Sequence, residues 1–450
     1  MTDWLSLPLP KLADALREGA LALPEYLHGL EQRMIDRDPQ VQAFLPEPGR
    51  FERLRHRAEA LAMEYRNVST RPPLYGVAVG IKDIFRMDGL PTRAGSRLPP
   101  ELLAGREAET VRRLRQAGAL ILGKTVTTEF AYFAPGPTTN PHNPEHTPGG
   151  SSSGSAAAVG SSQAPLALGT QTIGSILRPA SFCGVVGFKP SYGRVSTAGI
   201  IPLAPSLDHV GWFTREVAGA AAAAAVLCHD WSSAIPSRRP VVGVPQGPYL
   251  DHAASTARHA VEAVVDRLQG EGYSVRSVGA LEDFEEVVRH HRTILAAEAA
   301  RVHAEWFREH EALYHPRTAE LIRAGLALGP GALEDALQTR LILRQTLLDL
   351  MQAHSIDVWA CPAAVGPAPH GLESTGDPVM NLPWTQAGFP AIALPCSVDD
   401  AGLPLGLQLV ASAGGDEDLL AWAAEIERLI SYQEDSSTSE PARHMGPAGR

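Results

Sequence analysis

The sequence predicts an α/β fold: a large mixed, mostly parallel β-sheet covered by helices on both faces. Three observations lead there. Strand and helix patterns succeed one another twice, over residues 74–122 and again over 239–278. The run 119–122 is apolar throughout, as a strand buried on both faces requires. Finally, 44% of the 450 residues are hydrophobic against 20% charged, enough to fill an extensive core.

The elements follow in order. Residues 1–65 read as helices, because Leu12 and Leu16, then Leu27, Leu30 and Met34, recur at helical spacing. In "LYGVAVGIKDIF", Val77, Val79 and Ile81 alternate with Ala78, Gly80 and Lys82, which predicts a strand with one face kept small around a lysine. "TVRRLRQAGALILGK" predicts a helix from Thr110, a stop at Gly118 and a buried strand over 119–122. "PVVGVP" and "YSVRSV" read as strands flanking an amphipathic helix that carries Ala257, Val261, Val264, Val265 and Leu268, with its cap near Ser255. Residues 281–353, rich in Ala, Leu, Glu and Arg, predict helices without an assignable motif. "IDVWACPA", "PAIALPCSV" and "LGLQLVA" predict further core strands. One domain is expected over 1–432, with 433–450 a disordered tail lacking apolar periodicity.

Composition narrows the function. The formal net charge is -11, and no stretch gathers enough Lys and Arg to track phosphates, so no direct nucleic-acid contact is expected. The Ala-rich run 218–227 is far short of the roughly 20 residues that span a bilayer. The N-terminus has no basic start before an apolar core. Four cysteines, Cys183, Cys228, Cys361 and Cys396, are widely spaced without a CxxC pair, so a cytoplasmic protein with reduced thiols is expected. Only four of the 39 basic residues are lysine: Lys11, Lys82, Lys124 and Lys189. Genome bias accounts for the depletion. Arginine nevertheless cannot replace lysine where an amine must lose its proton, so each remaining lysine is a candidate.

Residues 148–191, "PGGSSSGSAAAVGSSQAPLALGTQTIGSILRPASFCGVVGFKPS", begin with the composition of a slack linker. A linker would not run straight into small and apolar residues suited to close packing. Residues 150–154 fit G-x-S-x-G, but a nucleophile elbow needs a preceding strand, and "NPHNPEHTPGG" is broken by prolines. No lysine follows the glycines as in a phosphate-binding loop. Pro144 separates His142 from His146 and denies them a shared helix face. Cys183 has no neighbouring His and reads as core, and Lys124 and Lys189 read as structural. Dense Gly and Ser also suit packing main-chain N–H groups around a developing oxyanion.

These residues carry a resemblance. "PGGSSSGSAAAV" followed by "ALGTQTIGSILRPASFCGVVGFKPSYGRV" resembles the signature of the amidase signature family, whose block has the form GGSSGGS and then TDTGGSIR-PA-CG-GKP. "GVAVGIKDIF" is similar to that family's catalytic-lysine strand, "GKTVTTEFA" to its GKT-TEF segment, and "NLPWTQAGFPAIALP" with "GLPLGLQLVA" to its C-terminal strands. The likeness is strong over 74–215 and moderate over 357–411. It implies the amidase-signature fold and a Ser–cis-Ser–Lys triad, with Ser175 as nucleophile, Ser151 as the serine after a cis peptide bond, and Lys82 as base. It places the oxyanion hole at the N–H groups of Thr172, Ile173, Gly174 and Ser175, with Ser152 and Arg178 in support. It requires no metal, nucleotide or organic cofactor.

That chemistry is sound from first principles. A serine hydroxyl attacks well only when a base takes its proton. Lysine serves as that base when burial disfavours its charged form, and the small apolar face of "VAVGIK" offers such burial. The sequence departs from the family pattern near the nucleophile. Gln171 stands in the place of Asp, Ile173 in the place of Gly, and Arg178 lies one position later than the usual Arg. Losing the Asp while moving the Arg reads as a coordinated change. Ile173 brings a β-branched side chain to a place where Gly allows unusual φ.

The resemblance implies hydrolysis of a small-molecule, non-peptide carboxylic amide to acid plus ammonia or amine, through an acyl-enzyme. A homodimer is compatible with it. Two alternatives stand beside this reading: the glutaminase-like subunit of a tRNA-dependent amidotransferase, and an inactive amidase-fold binding protein. Specificity is expected to reside in residues 281–353 and in "HGLESTGDPVMNLPW".

Overall fold

The computed structural model describes residues 4–233 and 238–431, so the tail expected over 433–450 lies outside the described residues. Ten strands are β1 (Ala78–Lys82), β2 (Leu120–Thr125), β3 (Leu166–Gln171), β4 (Val186–Lys189), β5 (His209–Thr214), β6 (Val242–Gln246), β7 (Val275–Gly279), β8 (Val358–Pro362), β9 (Ala391–Val398) and β10 (Pro404–Ala411). They form one sheet in the order β2-β1-β3-β5-β4-β9-β10-β8-β6-β7.

The sheet is mixed, as the sequence predicts, but parallel pairing does not predominate. It is confined to the two ends, β2-β1-β3 and β8-β6-β7. Every pair between β3 and β8 is antiparallel. Connections explain the division, because a parallel neighbour requires a long crossover. The helix Glu109–Gln116 lies between β1 and β2, and the helix Ser255–Gly270 between β6 and β7. The chain passes from β4 to β5 through residues 190–208 without a helix, and from β9 to β10 by a short turn.

The predicted helix from Thr110 starts one residue earlier, and Gly118 follows its end at φ +83°. The helix expected to be capped near Ser255 has Ala254 at the cap position and no side-chain cap; Ser255 is already inside the first turn. Three short strands, β3, β4 and β5, were not legible as strands. Glycines interrupt their apolar pattern for a steric reason. A Cβ on Gly169 would fall 2.8 Å from Ser152 Oγ, and one on Gly211 would fall 2.2 Å from the carbonyl oxygen of Phe188.

Every residue of β1 to β5, β8 and β10 is buried, so both faces of the sheet are covered there. The helix Ser153–Gly160, "SGSAAAVG", is buried over 153–159 and packs against β1, β2, β3, β5 and the helix Leu177–Cys183. Its small side chains allow that approach. The helices Leu9–Glu18, Leu23–Val41 and Arg50–Glu64 occupy the N-terminal region. Phe284–Val302, Ala304–His310, Pro316–Leu326 and Ala332–Ala353 form the helical stretch expected over 281–353. Among the described residues no helix is long and apolar enough to cross a membrane.

Candidate active site

Parallel pairing of β1 and β3 brings their C-terminal ends together, with Ile81 opposite Leu168. Lys82 therefore leaves β1 beside Thr170. Its Nζ donates to Thr170 Oγ1 at 2.8 Å and to Ser151 Oγ at 2.7 Å. The lysine is fully buried, and that burial holds its ammonium pKa well below the ordinary lysine range.

Ser151 precedes the buried helix Ser153–Gly160 and follows a cis peptide bond from Gly150. Its carbonyl accepts from the Thr128 N–H at 3.2 Å. Ser152 Oγ donates to the Thr170 carbonyl at 3.1 Å and accepts from the Thr170 N–H at 3.3 Å, joining the serine loop to β3. Ser155 Oγ donates to the Leu168 carbonyl at 2.8 Å on the next turn.

Ser175 follows β3 and precedes the helix Leu177–Cys183. It is 7% exposed, and its hydroxyl makes no hydrogen bond to a described residue. Lys82 and Ser151 are thus in hydrogen-bond contact, while Ser175 is bonded to neither. The main-chain N–H groups of Thr172, Ile173, Gly174 and Ser175 also donate to no acceptor among the described residues. Four consecutive unpaired donors in a nearly buried segment are rare in folded chains.

Side chains from other elements hold this segment. Thr172 Oγ1 donates to Asp208 Oδ1 at 2.6 Å. Thr385 Oγ1 donates to the Ile173 carbonyl at 2.6 Å. Arg178 is buried, and its Nη2 donates to the Gly150 carbonyl at 2.5 Å and to Thr375 Oγ1 at 3.2 Å, while Nη1 donates to the Gly376 carbonyl. Burial lowers the Arg178 pKa to about 10.

A cavity of about 840 Å³ adjoins the segment, with Tyr132, Phe133, Ile173, His291, Thr375 and Asp377 in its wall. A second, of about 240 Å³, is lined by Thr170, Thr172 and Asp208 among apolar side chains. The Thr172–Ile173 pair therefore stands between the two. His291 is wholly buried and faces the Thr172 main chain and the Gln386 side chain, yet neither ring nitrogen reaches hydrogen-bond geometry. Burial lowers its pKa to about 3, so the imidazole is neutral.

Sequence reasoning did not find Thr170, Asp208, His291 or Thr385. Thr170 shares a face of β3 with Leu168, a signal that alternation would have supplied had the strand been recognised. The other three are single residues brought in from distant segments, with no local pattern. The remaining candidates have ordinary partners. Lys124 pairs with Asp83 at 2.8 Å, and Lys189 Nζ donates to the carbonyls of Phe389 and Pro190. Cys183 Sγ donates to the Pro148 carbonyl at 3.3 Å, and burial pushes its thiol pKa up. His142 and His146 each meet a carbonyl, at 2.9 and 2.7 Å.

Known proteins share this arrangement of the chain. The amidase family model matches residues 32–420. The chain is 32% identical over 480 residues to a glutamyl-tRNA(Gln) amidotransferase subunit of Synechococcus sp. (strain RCC307), covering 94% of this chain and 97% of that protein. It is 33% identical over 484 residues to the corresponding subunit of Roseiflexus sp. (strain RS-1), covering 96% and 98%. A solved structure described as an amidase superposes with a TM-score of 0.85 at 34% identity, over 94% of this chain and 100% of that one. The peptide amidase from Stenotrophomonas maltophilia superposes with a TM-score of 0.80 at 26% identity, over 95% and 98%.

Proposed function

The chain belongs to the amidase family, and on that premise we propose that it hydrolyses a small carboxylic amide through Ser175, Ser151 and Lys82. The observation that carries this reading is the buried Lys82–Ser151 hydrogen bond beside four unpaired N–H groups. Ser175 Oγ attacks the amide carbonyl carbon, and its proton passes through Ser151 Oγ to neutral Lys82 Nζ. The carbonyl oxygen becomes an oxyanion that the free N–H groups of residues 172–175 receive. The proton returns through Ser151 to the leaving nitrogen, the C–N bond breaks, and ammonia or an amine departs from an ester on Ser175. Water, deprotonated along the same route, then releases the acid.

Hydrogen bonds to Thr172 and Ile173 hold the segment in place, and the missing Ser175–Ser151 bond is compatible with this route because catalytic hydrogen bonds commonly tighten once substrate is bound. Treatment with a fluorophosphonate tests the assignment. One adduct on Ser175, lost in Lys82→Ala, is the expected result. A folded wild type that takes no adduct overturns it.

A second reading rests on the relatives' names: the chain is the amide-hydrolysing component of a tRNA-dependent amidotransferase. Recovery of the native protein with stoichiometric partner subunits would favour it. A free, active chain would favour the independent amidase. Retention of the buried Lys82–Ser151 pair speaks against a binding protein without turnover.

A further inference from the structure

We propose that Asp208 is a positioning residue of this reaction: its carboxylate tethers the oxyanion segment through Thr172 and supplies the negative charge that acts on the ammonium formed on Lys82. The proposal rests on the triad reading above. Asp208 lies just before β5, and its carboxylate is fixed from both sides. Oδ2 accepts the N–H groups of Leu203 and Ala204 at 2.9 and 3.1 Å, and Oδ1 accepts Thr172 Oγ1 at 2.6 Å. Thr172 carries one of the four unpaired N–H groups. Its side chain is thereby anchored, which restrains the main chain that presents those donors.

The charge of the same carboxylate acts on the base. Asp208 and Thr170 line the smaller cavity, and Thr170 Oγ1 is the second acceptor of Lys82 Nζ. Among the described residues Asp208 is the charged group whose field acts on Lys82, favouring its protonated form. Lys82 must be neutral before attack and charged after it. A carboxylate in direct contact would keep it protonated throughout. One held apart from it, with no hydrogen bond or ion pair between them among the described residues, stabilises the transient ammonium without abolishing the base.

Other groups near Asp208 are few. Glu298, on the helix Phe284–Val302, holds Ser206 through its N–H at 2.8 Å and its Oγ at 2.5 Å, and its charge opposes ionisation of Asp208. Tyr192 also feels the Asp208 charge, and the adjacent His209 is neutral through burial. The surface that Asp208 retains faces the cavity. Desolvation raises its pKa to about 6, so it is ionised at neutral pH and above.

The test reads the rate of fluorophosphonate labelling at Ser175 against pH, which needs no knowledge of the substrate. Removing the negative charge in Asp208→Asn lowers the Lys82 pKa further. The rising limb therefore moves to lower pH by about one unit, and the plateau falls about tenfold. A limb at the wild-type position overturns the electrostatic role, since a merely structural residue would not move it. Thr172→Val keeps the charge and removes the tether. Its limb stays in place and its plateau falls about tenfold, and an unchanged plateau overturns the tether whether or not Asp208→Asn folds. Failure of the wild type to label counts against the triad itself, which separates the two questions.

Discussion

Gln171 Oε1 accepts from the N–H groups of Ile176 and Leu177 at 2.8 and 3.0 Å, and its Nε2 donates to Thr385 Oγ1 at 2.9 Å. A neutral amide thus receives the free donors at the start of the helix that follows Ser175. Arg178 leaves the first turn of that helix and binds the carbonyl of Gly150. Gln171 and Arg178, two of the three departures from the family pattern, do not bond to each other, but both act on one short helix and so on the placement of Ser175. Ile173 is accommodated because its φ is not in the left-handed region. Gly174 is the residue that needs to be small: a Cβ there would come within 2.3 Å of Asn381 Oδ1 and 2.9 Å of Pro378 Cβ. Arg178→Met leaves the carbonyls of Gly150 and Gly376 without their donor and should cost about 3 kcal/mol in urea unfolding, with loss of Ser175 labelling. Arg178→Lys should not restore labelling, because one ammonium cannot reproduce the planar fork that spans both loops.

Among the elements, the helix Ser153–Gly160 shows why dense glycine and serine do not signify flexibility here. A Cβ on Gly154 would lie 2.2 Å from the Ala43 carbonyl oxygen and 2.4 Å from the Val126 nitrogen. On an exposed helix, Gly to Ala stabilises by up to about 1 kcal/mol. At this position the steric cost wins, and Gly154→Ala should lower stability by about 2 kcal/mol, measured by urea titration. A stabilised variant would show that the contact relaxes freely. The strands and helices at both ends of the sheet were legible because hydrophobic period marks them. β3, β4 and β5 were not, since glycines required by neighbouring layers erase the period over so few residues. The cap expected at Ser255 also failed, because a one-residue offset separates a capping serine from an ordinary first-turn serine.

At the scale of the molecule, three of the four lysines, Lys82, Lys124 and Lys189, are buried in the core. Burial pulls the Lys189 pKa from 10.5 to about 7. Between those values the unfolded chain binds a proton that the folded one does not, so stability rises with pH across that window. Lys82 acts in the same sense. The buried thiols of Cys183, Cys228, Cys361 and Cys396, with pKa raised by burial, act in the opposite sense at alkaline pH, so the expected result is a difference: Lys189→Met should show a smaller rise, or a steeper fall, of Tm from neutral to alkaline pH than the wild type. A slope unchanged in Lys189→Met would mean that Lys189 remains protonated in the folded state.

The α/β class and the helical stretch at 281–353 were open to reading from residues alone, and Lys82, Ser151 and Ser175 became candidates through motifs that resemble those of a known family. Each rests on local pattern or on a motif contiguous along the chain. The antiparallel centre of the sheet, the partners Thr170, Asp208 and Thr385, and the cavities on either side of Thr172 and Ile173 were not. They depend on which distant segments meet, and that is set by packing of the whole chain: Asp208 reaches Thr172 across 36 positions and Thr385 reaches Ile173 across 212. Local sequence carries the period of an element and the chemistry of a side chain. It carries no information about a neighbour that only burial of the assembled layers brings within hydrogen-bond distance.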